Sequence, residues 1–345
     1  LHRVININTS AAADVLRATG SFYSTDYHRM ITAGNVANLA DYYAHYTRNT
    51  GPLHTGSLDT QRKQFIGIVA NHLFHELGAL SLDQLVRLGD RLRIAVKHRD
   101  ILVNLNASGP QSLVRQLGAA GAINPTTGDY LNVVDSNLSY NKINPYVHES
   151  ISYRAHILPN RWLLSSVTLR YRNVPAPAYI YEDSFGPGAG KTGGPADYAD
   201  FVRIYVPAGA SLTSQSGWSQ AWSPGPAYGK EMFSGYIIVR KGQTRTVTVR
   251  YLVPANVFSW SAGRRYRLVV QHQPGTSPDS LRIDVLGAHH RGVSRVMRHP
   301  YVDAVIGLRV PPVRLQVLQL PKSTPVVVAP GHEIEPHTVL ALRRH

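Results

Sequence analysis

The sequence predicts an α+β domain, then an all-β antiparallel sandwich, then a strand-forming, proline-rich C-terminal extension. Three observations support this order. Apolar residues recur at helical spacing up to about residue 142, alternate with polar residues from there to about residue 288, and are interrupted by proline afterwards. A chain of 345 residues also exceeds the usual size of a single core. We therefore divide it into residues 1–142, 143–288 and 289–345.

The first part combines helices and strands. Thr9 and Ser10 are suitable N-caps for the first helix, and Gly20 is suited to end it. A Ser-x-x-Gln capping box begins another helix at Ser81. The first helix is predicted over residues 9–18, and further helices over residues 34–46, 58–77 and 111–117. The predicted strands cover residues 4–7, 101–105 and 130–134.

The second part alternates with period two. Val167, Leu169 and Tyr171 are separated by Thr168 and Arg170, and several later segments repeat this pattern. One apolar and one polar face is typical of antiparallel sheets packed face to face. The sequence therefore predicts a sandwich of the immunoglobulin or fibronectin kind.

Residues 289–345 begin as a basic linker and continue as short apolar strands separated by proline. The predicted strand residues are Val313, Leu315, Val317, Val326, Val327 and Val328. Proline confines strands to sheet edges, so this tail is poorly suited to build a core of its own. We expect it to add as a strand to another surface, either of this molecule or of a neighbouring copy.

Composition restricts chemistry and partners. The absence of cysteine excludes disulfides, thiolate metal sites and cysteine nucleophiles. A charge of +15 favours an anionic wall polymer or a membrane surface, although it also suits a generic basic surface. With neither a basic helix nor an aromatic ribonucleoprotein-type motif, we do not expect nucleic acid as a partner. The chain begins at Leu1 without a signal peptide, so we expect an export signal or anchor to have been removed upstream.

Motifs for catalysis are weak. The glycine-rich segment 186–192 departs from the spacing of a phosphate-binding loop and no helix pattern follows it. His72 and His75 lie one helical turn apart but not in the order of a zinc peptidase. We therefore predict no catalytic residues, no metal and no cofactor. Trp218 and Trp222, in a Gly/Pro/Ser-rich stretch, are candidates for stacking on sugars or for covering a sandwich edge.

Four ordered segments resemble one bacterial family. They are residues 4–20, residues 129–142, residues 201–212 and residues 266–275. Together they are similar to domain-of-unknown-function family 4012, over about residues 1–287. The resemblance implies an exported or cell-surface protein. It also implies that an upstream half-domain with a membrane anchor is missing from this sequence.

The first domain is also distantly similar to the LytR–CpsA–Psr enzymes, which transfer glycopolymers from a polyprenyl-pyrophosphate carrier. The residues concerned are Arg48, Asp59, Arg62, Lys63 and Gln64. Guanidinium groups near a helix start can bind phosphate oxygens. Alternatively, Asp59 caps the helix while Arg62 and Lys63 form its solvated face.

These observations favour a non-enzymatic extracellular protein that assembles with itself, as a filament or surface layer, through its C-terminal tail. The first alternative is a relative of the LytR–CpsA–Psr transferases that binds polyprenyl pyrophosphate. The second is a carbohydrate- or wall-binding module.

Overall fold

The computed structural model describes residues 3–44, 58–126, 128–139, 141–182, 196–257, 265–276, 278–287 and 292–309. Of residues 58–62 it describes the backbone alone. Sheets dominate the fold and the helices are concentrated near the N-terminus, which is an α+β fold as predicted. The predicted tail strands at residues 313–328 lie outside the described ranges and stay a prediction.

The N-terminal part contains five helices within the described ranges. Its elements are β1 Arg3–Ile7, α1 Thr9–Thr19, β2 Phe22–Ser24, β3 Arg29–Ile31, α2 Val36–Ala44, α3 Leu58–Leu77, α4 Leu82–Lys97, β4 Ile101–Leu105 and α5 Ser108–Gln116. β1 pairs with β4, and β2 pairs with β3 as a short hairpin that the sequence did not reveal. The predicted helices and the strands of the β1–β4 pair are otherwise confirmed.

Local capping explains where two helices begin. At α4 the predicted capping box is present: Gln84 N donates to Ser81 Oγ at 3.3 Å, and Ser81 N donates to Gln84 Oε1 at 2.9 Å. At α1 the predicted cap residues were wrong. Asn8 is the N-cap, because its Oδ1 accepts from Ala11 N at 3.1 Å, and Thr9 is already the first helical residue.

The remaining strands form two larger sheets, and one short helix lies between two of these strands in the sequence. The elements are β5 Asp129–Val134, β6 Val147–Ile157, β7 Leu163–Asn173, α6 Ala178–Glu182, β8 Tyr198–Pro207, β9 Ser211–Ser216, β10 Gln220–Ala221, β11 Gly225–Ala227, β12 Lys230–Val239, β13 Thr244–Val253, β14 Arg265–Gln271, β15 Ser280–Leu286, β16 Gly292–Arg298 and β17 Ala304–Arg309. The seven-stranded sheet runs β10-β12-β8-β5-β14-β17, with β11 also on β12, and the six-stranded sheet runs β16-β15-β6-β7-β13-β9.

The expectation of purely antiparallel sheets was wrong. β14 runs parallel to β5 and β15 runs parallel to β6, so both sheets are mixed. Alternation of apolar and polar residues defines which face of a strand is buried. It carries no information on the direction of a partner that lies more than a hundred residues away.

The predicted boundaries do not coincide with the sheets. β5 precedes residue 142, yet it lies inside the seven-stranded sheet between β8 and β14. β16 and β17 fall in the predicted basic linker, yet β16 pairs with β15 and β17 pairs with β14. The sheets therefore extend beyond residues 143–288 on both sides.

One hydrophobic core joins the two large sheets. Val167, Val249 and Ile283 of the six-stranded sheet pack in the same cluster as Ile204 and Leu268 of the seven-stranded sheet. A second, smaller core lies among α1, α2 and α3. Among the helices of the described ranges, none is both long enough and apolar enough to cross a membrane.

Candidate functional site

The residues predicted to bind pyrophosphate are only partly described. Arg48 lies outside the described ranges, as does the glycine-rich segment 186–192. Asp59 and Arg62 belong to the start of α3, where the backbone alone is described. Lys63 is exposed and Gln64 is half-buried. The structure therefore brings four of the five residues to one end of α3, as their spacing predicts.

The two candidate sugar-stacking tryptophans have different surroundings. Trp218 packs against the main core, its Nε1 donates to Gln215 Oε1 at 3.0 Å, and a Cβ at Gly235 would lie 2.4 Å from its Cε3. Trp222 is 42% exposed and meets the ring of Phe201 edge-on at 5.0 Å. Trp218 thus covers a glycine of β12, and of the two rings Trp222 presents more surface to solvent.

β1 is an unusual edge strand. Its only partner among the described residues is β4, in the register Ile5 opposite Val103. Its side chains are exposed, Ile5 by 57% and Ile7 by 56%, with Val4 similar. A two-stranded sheet is marginal by itself in water, and an uncharged apolar edge invites pairing with another strand.

A cavity of about 340 Å³ lies beside β1. Its lining is almost wholly apolar and includes Ile7 of β1, Val15 of α1 and Phe65, Val69, Leu73 and Phe74 of α3. Phe74 is 71% exposed at this site. We call the free edge of β1 together with this cavity the β1 groove.

The two outer strands of the six-stranded sheet are better protected. β16 carries Arg295 and Arg298, and β9 is a polar strand with a register shift where it meets β13. Charged residues and irregularities of this kind discourage edge-to-edge pairing. The β1 edge has one charge, on Arg3, at its end. It is therefore better suited to accept a strand than either edge of the six-stranded sheet.

A signal for the β1 groove was present in the sequence. Val4, Ile5 and Ile7 place apolar side chains on both faces of one short strand. Such a pattern is typical of a strand covered on both sides. The sequence could not show that these faces would be left uncovered by the described residues.

Three carboxyl groups that the sequence alone does not single out lie together between the large sheets, one fully buried and two half-buried. They belong to Asp135 after β5, Glu149 on β6 and Asp200 on β8, and Tyr171 Oη donates to Asp135 at 2.8 Å. Burial, reinforced by repulsion from Asp135, raises the pKa of Asp200 to about 9. Burial and the two aspartates also raise the pKa of Glu149 well above its usual range.

The cavity that Glu149 of this cluster lines measures about 30 Å³, which is room for a water molecule and not for a substrate. Both carboxyl oxygens of Asp200 are closed to solvent. Within the described ranges, no group of three or more His, Asp or Glu side chains is arranged to hold a metal ion. The raised pKa values mean that folding favours the protonated forms of Asp200 and Glu149.

Comparisons with known proteins add little. No protein family and no curated protein matches the chain. Among solved structures, the chain is similar to a Legionella pneumophila protein suggested to bind nutrients, at 9% identity and a TM-score of 0.29. The match covers 53% of this chain and 71% of that chain. A likeness at this level carries no argument about fold or function.

Proposed function

We propose that this protein is an extracellular, non-enzymatic assembly protein whose copies join by strand addition at the β1 groove. The observation that supports this most is the free β1 edge, which exposes aliphatic side chains beside an apolar cavity. The proposed occupant is the C-terminal strand of a second copy. There, Val313, Leu315 and Val317 alternate with polar residues, which suits a sheet with one covered face. A contact of this kind between different surfaces propagates into a filament or layer.

The hydrogen bonds of β1 show which backbone groups are available to such a strand. Asn8 N donates to Asp100 O at 3.0 Å, whereas Val103 N donates to Ala119 O at 2.8 Å, away from β1. Bonded and non-bonded pairs alternate along an antiparallel ladder. Ile5, which lies opposite Val103, therefore directs its N–H and C=O to the free edge.

Two changes are expected to abolish assembly. Removing residues 310–345 deletes the donor strand, and Ile5→Pro removes one N–H from the acceptor edge without removing a β1–β4 hydrogen bond. Ile5→Ala is the matched control, because it truncates the side chain but keeps the N–H. Negative-stain electron microscopy and light scattering would compare the three variants with the full chain.

The expected pattern is polymer for the full chain and for Ile5→Ala, and dispersed monomer for the truncation and for Ile5→Pro. A full chain that stays monomeric at high concentration would overturn the proposal. Polymers that persist after the truncation would show that the tail is not the connector. Polymers that persist in Ile5→Pro, but not in the truncation, would place the acceptor elsewhere.

The immunoglobulin-like description of the sheets and the surface location belong to the same proposal. A single core shared by both large sheets supports a sandwich. The parallel pairs β5–β14 and β6–β15 depart from the antiparallel immunoglobulin pattern. The resemblance to family 4012 supports export, because its members are exported bacterial proteins.

A second candidate function is binding of a polyprenyl pyrophosphate, as in the LytR–CpsA–Psr enzymes. The observation that favours it is the composition of α3. Lys63 and Gln64 lie near its start, and Phe65 and Ile66, the next two residues, line the apolar cavity. A lipid pyrophosphate likewise joins an anionic group to an apolar chain.

Arg62→Ala is expected to weaken lipid-pyrophosphate binding by about tenfold or more if this second function is correct, because a charge-assisted bond to phosphate is lost. Arg87→Ala on α4 is the control, since Arg87 is exposed and lies outside the cavity lining. Binding would be measured by titrating detergent-solubilised polyprenyl pyrophosphate. Equal affinities for wild type and Arg62→Ala would eliminate this candidate.

A further inference from the structure

The outward face of the six-stranded sheet is rich in arginine. The residues are Arg154 on β6, Arg170 and Arg172 on β7, Arg250 on β13, Arg282 on β15 and Arg298 on β16. All are exposed, and the strand registers place them on the side opposite to the core-facing residues. We call this surface the arginine face. It lies on different strands from the β1 groove.

The centre of the arginine face is a row across neighbouring strands. Arg154 lies opposite Ser166, and Ser166 lies opposite Arg250. Two strand spacings separate the arginine backbones by about 10 Å. A hollow of about 430 Å³ at this point is lined by both arginines together with His156 and Asp284. A phosphate group placed above Ser166 would therefore meet a guanidinium group on each side.

Charge on this face is only partly neutralised. Asp284 Oδ2 lies 2.7 Å from Nε of Arg282 and 3.7 Å from Nε of Arg154. Within the described part of the chain, Arg170, Arg172 and Arg250 form no ion pair. The β7–β13 half of the face thus presents excess positive charge to solvent. Such a field attracts anions and is weakened by salt.

The residues between the arginines are small and hydroxylated. They are Ser150 and Ser152 on β6, Ser166 and Thr168 on β7, and Thr246 and Thr248 on β13. Among the described outward positions of β6, β7, β13 and β15, none is Phe, Tyr or Trp. Recognition of single-stranded nucleic acid relies on stacking of bases on aromatic rings. This face can supply charge and hydrogen bonds, but not stacking.

We infer that the arginine face binds a linear phosphodiester polymer whose units are hydroxylated and carry no aromatic bases. Arginine pairs with phosphate oxygens through two parallel N–H donors, and serine or threonine hydroxyls bond to the remaining oxygens. A regular array of arginines on a flat sheet suits repeating anionic groups better than one small ligand. The inference is independent of assembly, because it involves neither β1 nor the tail.

The test uses the full-length protein and poly(glycerol phosphate) as the probe. Arg170→Gln combined with Arg250→Gln is expected to lower affinity at least about tenfold and to reduce the slope of log affinity against log salt by about 2. Arg87→Gln combined with Arg115→Gln is the matched control, because it removes the same charge from exposed positions on α4 and α5. Circular dichroism would verify that both double variants are folded.

Three outcomes would overturn the inference. Absence of poly(glycerol phosphate) binding to the wild-type protein would refute the inference directly. An equal loss of affinity in the control double variant would show a response to net charge alone. Single-stranded DNA that binds at least as tightly as poly(glycerol phosphate), with the same dependence on Arg170 and Arg250, would make the partner a nucleic acid. Repeating the titration with Ile5→Pro separates this result from assembly, since that variant retains the whole arginine face.

Discussion

Replacing Asp129 with alanine is expected to lower the free energy of unfolding by about 2–5 kcal/mol, because each buried donor left unpaired costs about 1–3 kcal/mol. Asp129 begins β5 and is fully buried. Its carboxyl accepts from the hydroxyls of Tyr153 and Tyr266, and from Tyr130 N at 2.9 Å. Both tyrosine hydroxyls are enclosed in the core, so water cannot replace the lost acceptor.

Urea unfolding at constant pH would measure this effect. Asp90→Ala is the control, since Asp90 is exposed and its ion pair with Arg93 spans 3.9 Å, so a change within about 0.5 kcal/mol is expected. Tyr153→Phe in the Asp129→Ala background should be less harmful than in wild type, because the Tyr153 hydroxyl has already lost its carboxylate acceptor and keeps only Ser165 Oγ, at 3.2 Å. An Asp129→Ala variant as stable as Asp90→Ala would refute this role.

Stability is expected to fall as pH rises from about 4 to about 9, and Asp200→Asn is expected to flatten that decline. Burial raises the pKa of Asp200 from 3.8 to about 9, and repulsion from Asp135 adds to it. The folded state therefore binds this proton more tightly than the unfolded state. The contribution of this proton to the free energy of unfolding is fully present below about pH 4. It is lost as pH approaches 9, by at most about 1.4 kcal/mol per pH unit for each proton.

Other buried carboxyls contribute with the same sign. Burial raises the pKa of Glu149 well above its usual range and that of Asp129 to about 6, although hydrogen bonds from two tyrosines partly offset the latter. The titratable groups that interact with Asp200 are Asp135, Glu149 and Tyr198. The cation Arg203 interacts with Asp135 and lowers the pKa of that carboxyl. Asp200→Asn alone should therefore reduce the decline without removing it.

Thermal unfolding between pH 4 and pH 9 would test this. Asp284→Asn is the control, because the linkage of Asp284 has the opposite sign and falls below about pH 4, so this variant should leave the slope between pH 4 and pH 9 unchanged. Burial acts to raise the pKa of Asp284, but hydrogen bonds from Arg282 and Ser294 outweigh burial and lower it. That carboxylate stabilises the fold at higher pH, and its contribution is lost as pH falls through its folded pKa. Superimposable pH profiles for wild type and Asp200→Asn would contradict the buried-proton interpretation.

Local structure was largely predictable from sequence. The capping box at Ser81 and the period-two alternation around Val167 both appear in the structure at the predicted places. These features depend on residues within a few positions of one another. The exceptions were small: the cap of α1 moved to Asn8, and the hairpin of β2 and β3 was too short to leave a pattern.

The candidate sites were less predictable. Alternation around Arg170 indicates an outward polar face, but it does not show that Arg250 lies one strand away. Asp129 begins β5 and Asp135 directly follows that strand, six residues later and so in phase with the inward positions, where a carboxylate looks misplaced. Tyrosines from other strands, Tyr153 and Tyr171, make those positions acceptable.

The sequence by itself therefore determined the α+β class, the positions of most helices, and the buried face of strands with clear alternation, such as β7 and β13. Tertiary structure alone decided that two strand pairs are parallel, that β5 joins the seven-stranded sheet, that three carboxyls lie together between the sheets, and that the described residues leave one edge of β1 unpaired. The physical reason is the range of the interactions. Helix caps and side-chain periodicity act between near neighbours in the chain, whereas strand order, burial of charge and exposure of an edge depend on contacts between segments far apart in sequence.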